Sequence, residues 1–315
     1  MSAGGAARPL TLRAGPDRVT VDPGWGGMLT SLVAGGAERL RQPGPGEETP
    51  TASFPMWGSF VMAPWVGRLG HAVVEWEGLH HRLPPTWRGH AIHGLVADRP
   101  WCVESASETH VSLACRLPDA WPFGGVVRQR VGLERGSLTL TLRVQASGKS
   151  MPAAVGWHPW FQRPTSSDLA ITVAADRVLE LDSDLLPTGR IHPVDERTDL
   201  RNGPAVGDRD LDTAYVGVVP PLHVVWPDLE LRMSIDAPSP CAVVYTGDPA
   251  SVCVEPMSAW PNAPALEAAA VPATGLTRLP PGGVLVVTTT WEWLRGPRAV
   301  SWAQPGRPTT VPDCL

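Results

Sequence analysis

Lysine is nearly absent from this chain: Lys149 is the only one in 315 residues. Positive charge therefore rests almost wholly on arginine, scattered without a basic run, under a formal net charge of -5. That balance lacks the electrostatic footprint of a nucleic-acid binder or of a protein held on an acidic membrane surface. Cysteine is sparse and odd in number. Cys102, Cys115, Cys241, Cys253 and Cys314 contain no C-x-x-C spacing, which argues against a disulfide framework or a zinc knuckle and leaves buried, reduced thiols. No apolar run approaches the roughly 18 residues of a spanning helix. The opening "MSAGGAARPLTLRAGPDR" has no apolar stretch of signal-peptide length. The expectation is a cytoplasmic protein, monomeric or homodimeric, with neither nucleic acid nor membrane among its partners.

Helix signals are equally scarce, and no segment offers a capped, amphipathic run of a dozen residues. Thirty-five prolines and 32 glycines punctuate the chain. What recurs instead is two-residue alternation, in "RVTVDPG", "HVSLACRL", "SLTLTLRVQA", "LAITVAA", "LHVVWPDLELRMSID", "CAVVYTG" and "GVLVVTTTWEW". "ERGS" (Glu134 to Ser137) and "WPDLE" (Trp226 to Glu230) read as hairpin connections. Length alone, at about 100–200 residues per domain, would allow two domains. The unbroken alternation points to one: an all-β, large antiparallel β-sandwich over residues 1–294, followed by a Pro/Gly-rich tail over 295–315. Arg41 to Ser53 reads as a loop.

Three stretches carry candidate chemistry. In "AAVGWHPWF" (Ala153 to Phe161), alternation puts Gly156, His158 and Trp160 on one face and Val155, Trp157 and Phe161 on the other. Pro159 cannot donate a ladder hydrogen bond, so the strand is expected to end or lie at an edge there, aiming an imidazole into a cleft. In "SVCVEPMSAWPNAP", Glu255 stands among apolar neighbours, again directly before a proline, Pro256. A carboxylate so placed is a candidate base, the plainer alternative being a salt-bridged structural glutamate. The third stretch, Phe60 to Trp101, holds Arg68 after "WVG" and His93 between glycines, with His71, His80, His81 and His90 nearby. His90 and His93 would face opposite ways on a strand and no H-E-x-x-H motif is present, so no metal is assigned. Tryptophan supplies 14 of the 20 aromatic residues. Its flat face suits the C–H face of a sugar as well as it suits a core.

Taken in order, these motifs resemble the aldose 1-epimerases of the galactose mutarotase-like superfamily. The matching segments are "PWVGRL" with Arg68, "GLHHRL", "IHG" with His93, "HPWF" with His158, "DLDTAY" with Asp212, and "VEPMSAWPNAP" with Glu255, spread from about Arg18 to Trp293. Two positions depart from the family pattern. Gly67 stands where an asparagine usually precedes the arginine, and Trp160 replaces a common tyrosine.

The resemblance implies a β-supersandwich with an open cleft and cofactor-free interconversion of aldose anomers. Glu255 would be the base, His158 the acid, His93 and Arg68 hydrogen-bond donors to oxygens near the sugar ring, and Asp212 an acceptor from hydroxyls, with Trp160 against the substrate. Three alternatives remain open on sequence: an epimerase of phosphorylated or anionic sugars served by Arg128 and Arg130, a sugar-binding protein that has lost the chemistry, and a retaining glycosidase using Glu255 and Asp212.

Overall fold

The computed structural model describes residues 8–47, 55–164 and 169–295. The tail from 296 onward, and the second half of the Arg41 to Ser53 stretch, lie outside the described residues. Two antiparallel sheets dominate. The larger has eleven strands, running across the sheet as Leu10–Ala14, Asp17–Asp22, Met28–Ala34, Ser59–Met62, Gly156–Gln162, Ser251–Met257, Cys241–Tyr245, Asp212–Val216, Arg177–Leu181 and Pro187–Pro193, with Ala37–Glu38 added beside Met28–Ala34. The smaller has eight, from Cys102–Ala106 through His110–Arg116, Val126–Glu134, Ser137–Gln145, Val284–Arg295, Leu229–Asp236 and Leu222–Trp226 to Ala170–Thr172. Both expected hairpins are present, joining Val126–Glu134 to Ser137–Gln145 and Leu222–Trp226 to Leu229–Asp236. The longest helix among the described residues has six residues, Ala263–Ala268, and none is long and apolar enough to cross a membrane.

Alternation along the central strands sorts their side chains into two separate apolar clusters. Val61, Trp157, Phe161, Val252, Val254, Ala242, Val244 and Tyr215 face the smaller sheet and join the main core. There Phe161 meets Trp226 and Trp291 of the opposite sheet at ring-centroid distances of 5.8 and 5.6 Å. Each such fully buried large side chain contributes about 1.5–3 kcal/mol by leaving water. Phe60, Met62, Trp160, Cys253, Met257, Ala214 and Val216 project from the other face into a second cluster. The larger sheet is thus clad on both sides, and its second face is the one that carries the polar residues of interest.

The structure corrects three expectations. His158 and Pro159 do not end a strand or lie at an edge: Gly156–Gln162 continues past them, flanked on both sides by Ser59–Met62 and Ser251–Met257. Pro187–Pro193, which alternation did not reveal, is one edge of the larger sheet, Leu10–Ala14 being the other. The two prolines and mostly exposed side chains of Pro187–Pro193 suit a boundary strand with no apolar face to advertise. Finally, Cys115, Cys241 and Cys253 are buried free thiols as expected, but Cys102 is exposed; Cys314 lies outside the described residues.

Candidate active site

The ladder between Gly156–Gln162 and Ser251–Met257 pairs Gly156 with Met257 and Trp160 with Cys253, leaving three residues unpaired on each strand between them. The same register carried through that gap sets His158 opposite Glu255. Each strand brings one proline into the gap, Pro159 and Pro256, and neither can donate to the ladder. Two Xaa-Pro dipeptides on neighbouring strands therefore open the sheet locally at the His158–Glu255 pair. The row continues sideways: Phe60 is partnered with His158 on one side, while Glu255 is partnered with Val243 and Val243 with Ala214 on the other. A second row, two residues along, runs Trp160, Cys253, Tyr245, Asp212.

His158 Nε2 lies 3.2 Å from Glu255 Oε1, with both side chains almost wholly buried. Phe60 and Trp160 stack on either side of the imidazole, at centroid distances of 4.5 and 5.2 Å and interplanar angles of 25° and 20°. The ring is thereby fixed in plane and stripped of water. Burial pushes the His158 pKa down to about 3, with the Arg68 charge acting in the same direction. The Glu255 carboxyl is raised well above the usual carboxylate range by burial and by Asp212, against an opposing pull from Arg68. Both shifts disfavour the charged forms, so a proton at the pair is held preferentially by Glu255.

Two short connections bring in the remaining candidates. Arg68–Leu69 pairs with Ala91–Ile92, and the His93 N–H donates to the Gly67 carbonyl at 2.9 Å. The next residue, Gly94, has φ +82°, and any Cβ there would sit 2.0 Å from the Ala63 carbonyl oxygen, so only glycine lets the two backbones approach this closely. Arg68 Nη2 donates to Asp212 Oδ2 at 2.9 Å, and its guanidinium carbon lies 4.8 Å from the Trp87 ring centre. His93 Nδ1 is 3.1 Å from Met62 Sδ, and burial first, then His158 and Arg68, hold its ring neutral. In the tautomer that donates to this thioether, Nε2 is an acceptor, where the resemblance implied a donor.

Gly67 has a physical explanation. Its φ is +57°, and a Cβ there would come within 2.8 Å of Pro261 Cβ. Pro261 fills the space that a side chain at 67 would use, and the next residue ties the two segments together: the Gly70 N–H donates to Asn262 Oδ1 at 3.0 Å. Asparagine tolerates positive φ better than most residues, but the contact with Pro261 remains. Gly67→Asn is therefore expected to cost about 1–3 kcal/mol by overpacking, read as a lower unfolding midpoint in denaturant. Gly67→Asn combined with Pro261→Ala should recover much of that loss.

All six candidates, Glu255, His158, Arg68, His93, Asp212 and Trp160, line one cavity of about 170 Å³. Sequence reasoning missed Tyr245, Val243, Leu181 and Leu185, which complete its wall. Tyr245 was within reach: alternation in "CAVVYTG" places it on the same face as Val243, but only the pairing of that strand with Ser251–Met257 turns the face toward Glu255. Arg128 and Arg130 belong to the smaller sheet and do not line the cavity, and Arg128 Nε pairs with Glu104 at 2.9 Å. The anionic-sugar alternative thereby loses the arginines assigned to it. The histidine-rich stretch does not gather into a metal site either: His90 Nδ1 accepts the backbone N–H of His71, and the cavity takes only His93 from that stretch. Asp212, which a glycosidase would need as a free carboxylate, is engaged by Arg68.

A family model described as Aldose 1-epimerase matches residues 10–291. Among curated relatives, YihR of Escherichia coli, described as uncharacterized, is 25% identical over 218 residues, which is 64% of this chain and 70% of that protein. The galactose mutarotase of Rattus norvegicus is 27% identical over 226 residues, or 65% of this chain. The match spans 64% of the rat protein's length, just under two thirds. Two solved structures share the fold. A galactose mutarotase-like protein from Clostridium acetobutylicum gives a TM-score of 0.79 at 17% identity, covering 91% of this chain and 95% of the other. A galactose 1-epimerase from Lactobacillus acidophilus gives 0.75 at 19%, covering 91% and 94%.

Proposed function

The chain belongs to the aldose 1-epimerase family, and from that premise we propose that it interconverts the α and β anomers of an aldohexose by opening and reclosing the ring between Glu255 and His158. The observation that carries this reading is the buried His158–Glu255 pair, 3.2 Å apart across an opened ladder and facing the cavity. Ring opening takes a proton from the anomeric hydroxyl and delivers one to the ring oxygen. After rotation about the C1–C2 bond the transfers reverse, and the ring closes on the other face. Each group must give and take one proton per turnover, so the requirement is a pair holding a single proton. With Glu255 at the anomeric oxygen and His158 at the ring oxygen, the carboxylate–imidazolium form opens the ring. The carboxylic acid–imidazole form then closes it. Direct contact between Nε2 and Oε1 lets the empty enzyme pass between the two.

Arg68 and Asp212 hold each other at the cavity wall and present a donor and an acceptor to hydroxyls away from the reacting carbon. Trp160, stacked on His158, lines the same cavity. Galactose and glucose are the first sugars to test, galactose because the rat relative is named for it. Freshly dissolved single anomers followed by polarimetry provide the assay. A protein that never exceeds the spontaneous rate on a panel of neutral aldohexoses would overturn this reading.

The single-proton requirement also sets the pH dependence. A second proton must go onto His158, whose pKa is about 3; the last proton is lost from Glu255, whose pKa is raised. The acidic limb of kcat/KM therefore reports the imidazole and the basic limb the carboxyl, the reverse of their ordinary order. Activity should stay on a plateau through pH 6.5, the ordinary histidine value, and well below it, after subtraction of spontaneous and buffer-catalysed mutarotation. An acidic limb centred near pH 6.5 would show that the imidazole is solvated in the working enzyme, contrary to its burial here.

A further inference from the structure

Cys253 belongs to the second transverse row and has no part in the anomerase chemistry. It precedes Glu255 by two residues on the same strand and faces the same way. An imidazole nitrogen of His158, Sγ of Cys253 and a carboxylate oxygen of Glu255 all lie within 4.8 Å of one another. The three residues are 6%, 0% and 3% exposed. From this geometry we propose that His158, Cys253 and Glu255 form a zinc site in which the metal blocks the catalytic pair, making the enzyme reversibly inhibited by free Zn²⁺ in competition with its sugar.

The donor set suits the metal. A thiolate, an imidazole and a carboxylate favour zinc over magnesium or calcium, which prefer oxygen alone. Bonds of about 2.0–2.3 Å to tetrahedral zinc place neighbouring donors roughly 3.3–3.8 Å apart. His158 Nε2 and Glu255 Oε1 are already 3.2 Å apart. Rotation of the short cysteine side chain has to close at most about 1.5 Å, the length of one C–C bond. Coordination displaces the thiol and carboxyl protons to solvent. A thiolate, a carboxylate and a neutral imidazole then balance the dication, so the buried centre carries no net charge. The fourth tetrahedral position opens toward the cavity, where His158 and Glu255 line the wall. Zinc would occupy the lone pairs that must move protons, and a sugar would have to displace it to react. Such a site is compatible with a cofactor-free reaction, because the metal opposes catalysis instead of supplying it.

The activity arm of the test rests on the reading above; the binding arm does not. Cadmium serves as the probe for sulfur ligation, added to the full chain carrying Cys102→Ser and Cys314→Ser so that neither of these thiols contributes. The expected result is the ultraviolet charge-transfer band of one cadmium–thiolate bond per chain, abolished by Cys253→Ser. Zinc titrated by calorimetry should bind one per chain at this site. Affinity should fall in Cys253→Ser by more than the roughly 10–100-fold that disturbing a ligand's partner alone causes. Zinc inhibition, measured for each variant against its own zinc-free rate, should be competitive with sugar and weaken in parallel. Cys253→Ala repeats the test should the serine variant fold poorly. Absence of the cadmium band, or zinc affinity unchanged by loss of the thiol, would overturn the site and assign any bound zinc to surface imidazoles. If the band appears but no sugar is turned over, the metal site stands and the anomerase reading falls. If sugar is turned over and zinc has no effect, the reverse holds.

Discussion

Glu255→Gln and His158→Asn should each bring anomer interconversion down toward the spontaneous rate, a loss of about 10²–10⁴-fold for a general acid or base. Glutamine keeps the reach and shape of the side chain but cannot accept the proton, and asparagine keeps a polar group without a useful acid. Because the two groups share one proton across 3.2 Å, either substitution alone stops the relay. The double variant should lose far less than the product of the single losses. Both variants should still bind sugar by calorimetry. Circular dichroism must show the fold intact, and the glutamine variant has a further signature. Burial raises the Glu255 pKa in the folded state, so the folded state loses stability as pH rises through that raised value. An amide has no such loss, so the thermal midpoint of Glu255→Gln should hold from the ordinary carboxylate value of 4.5 up to the raised one, the range over which wild type declines. A protein that merely binds sugar would behave otherwise: wild type would show affinity without acceleration, and the two substitutions would alter affinity alone.

How much of this was legible before folding is uneven, for a physical reason. Alternation is local, so the faces of "AAVGWHPWF" and "SVCVEPM" could be read directly, and the two clusters of the larger sheet confirm them. Pairing is not local. His158 and Glu255 lie 97 positions apart (255 minus 158), and nothing within either stretch says that its neighbour is the other. The same ignorance produced the misreading of the two prolines. Proline in an isolated strand signals an edge, whereas here Pro159 and Pro256 fall together in one break of a central ladder, and each makes the other tolerable. Gly67 could be seen as a departure from the family pattern, but its compensation by Pro261 required the turn that brings residue 261 against it. Tyr245 and Leu185 stayed hidden because a wall residue is defined by what it faces.

Arg68→Ala should lower kcat/KM by about 10²–10³-fold, the scale of losing one preorganised donor in a partly dry site, and it should also move the pH profile. Arg68 is tied to Asp212 at 2.9 Å, with its side chain 18% exposed. Its charge lowers the proton affinity of both His158 and Glu255. Removing it lets both groups hold protons more readily, so both limbs of the profile should shift to higher pH while the plateau height falls. Arg68→Lys separates the two contributions. Lysine retains a positive charge near the pair but not the planar fork that holds Asp212 and lies over Trp87. Its limbs should stay close to those of wild type, while kcat/KM falls part of the way through a raised KM. If Arg68→Ala leaves the limbs in place while rate is lost, the arginine acts by holding Asp212 alone and the field it exerts on the acid–base pair is negligible. If neither rate nor limbs change in a folded variant, the sugar does not bind in this cavity at all, because no aldose can reach the His158–Glu255 pair without passing the wall that Arg68 helps to form.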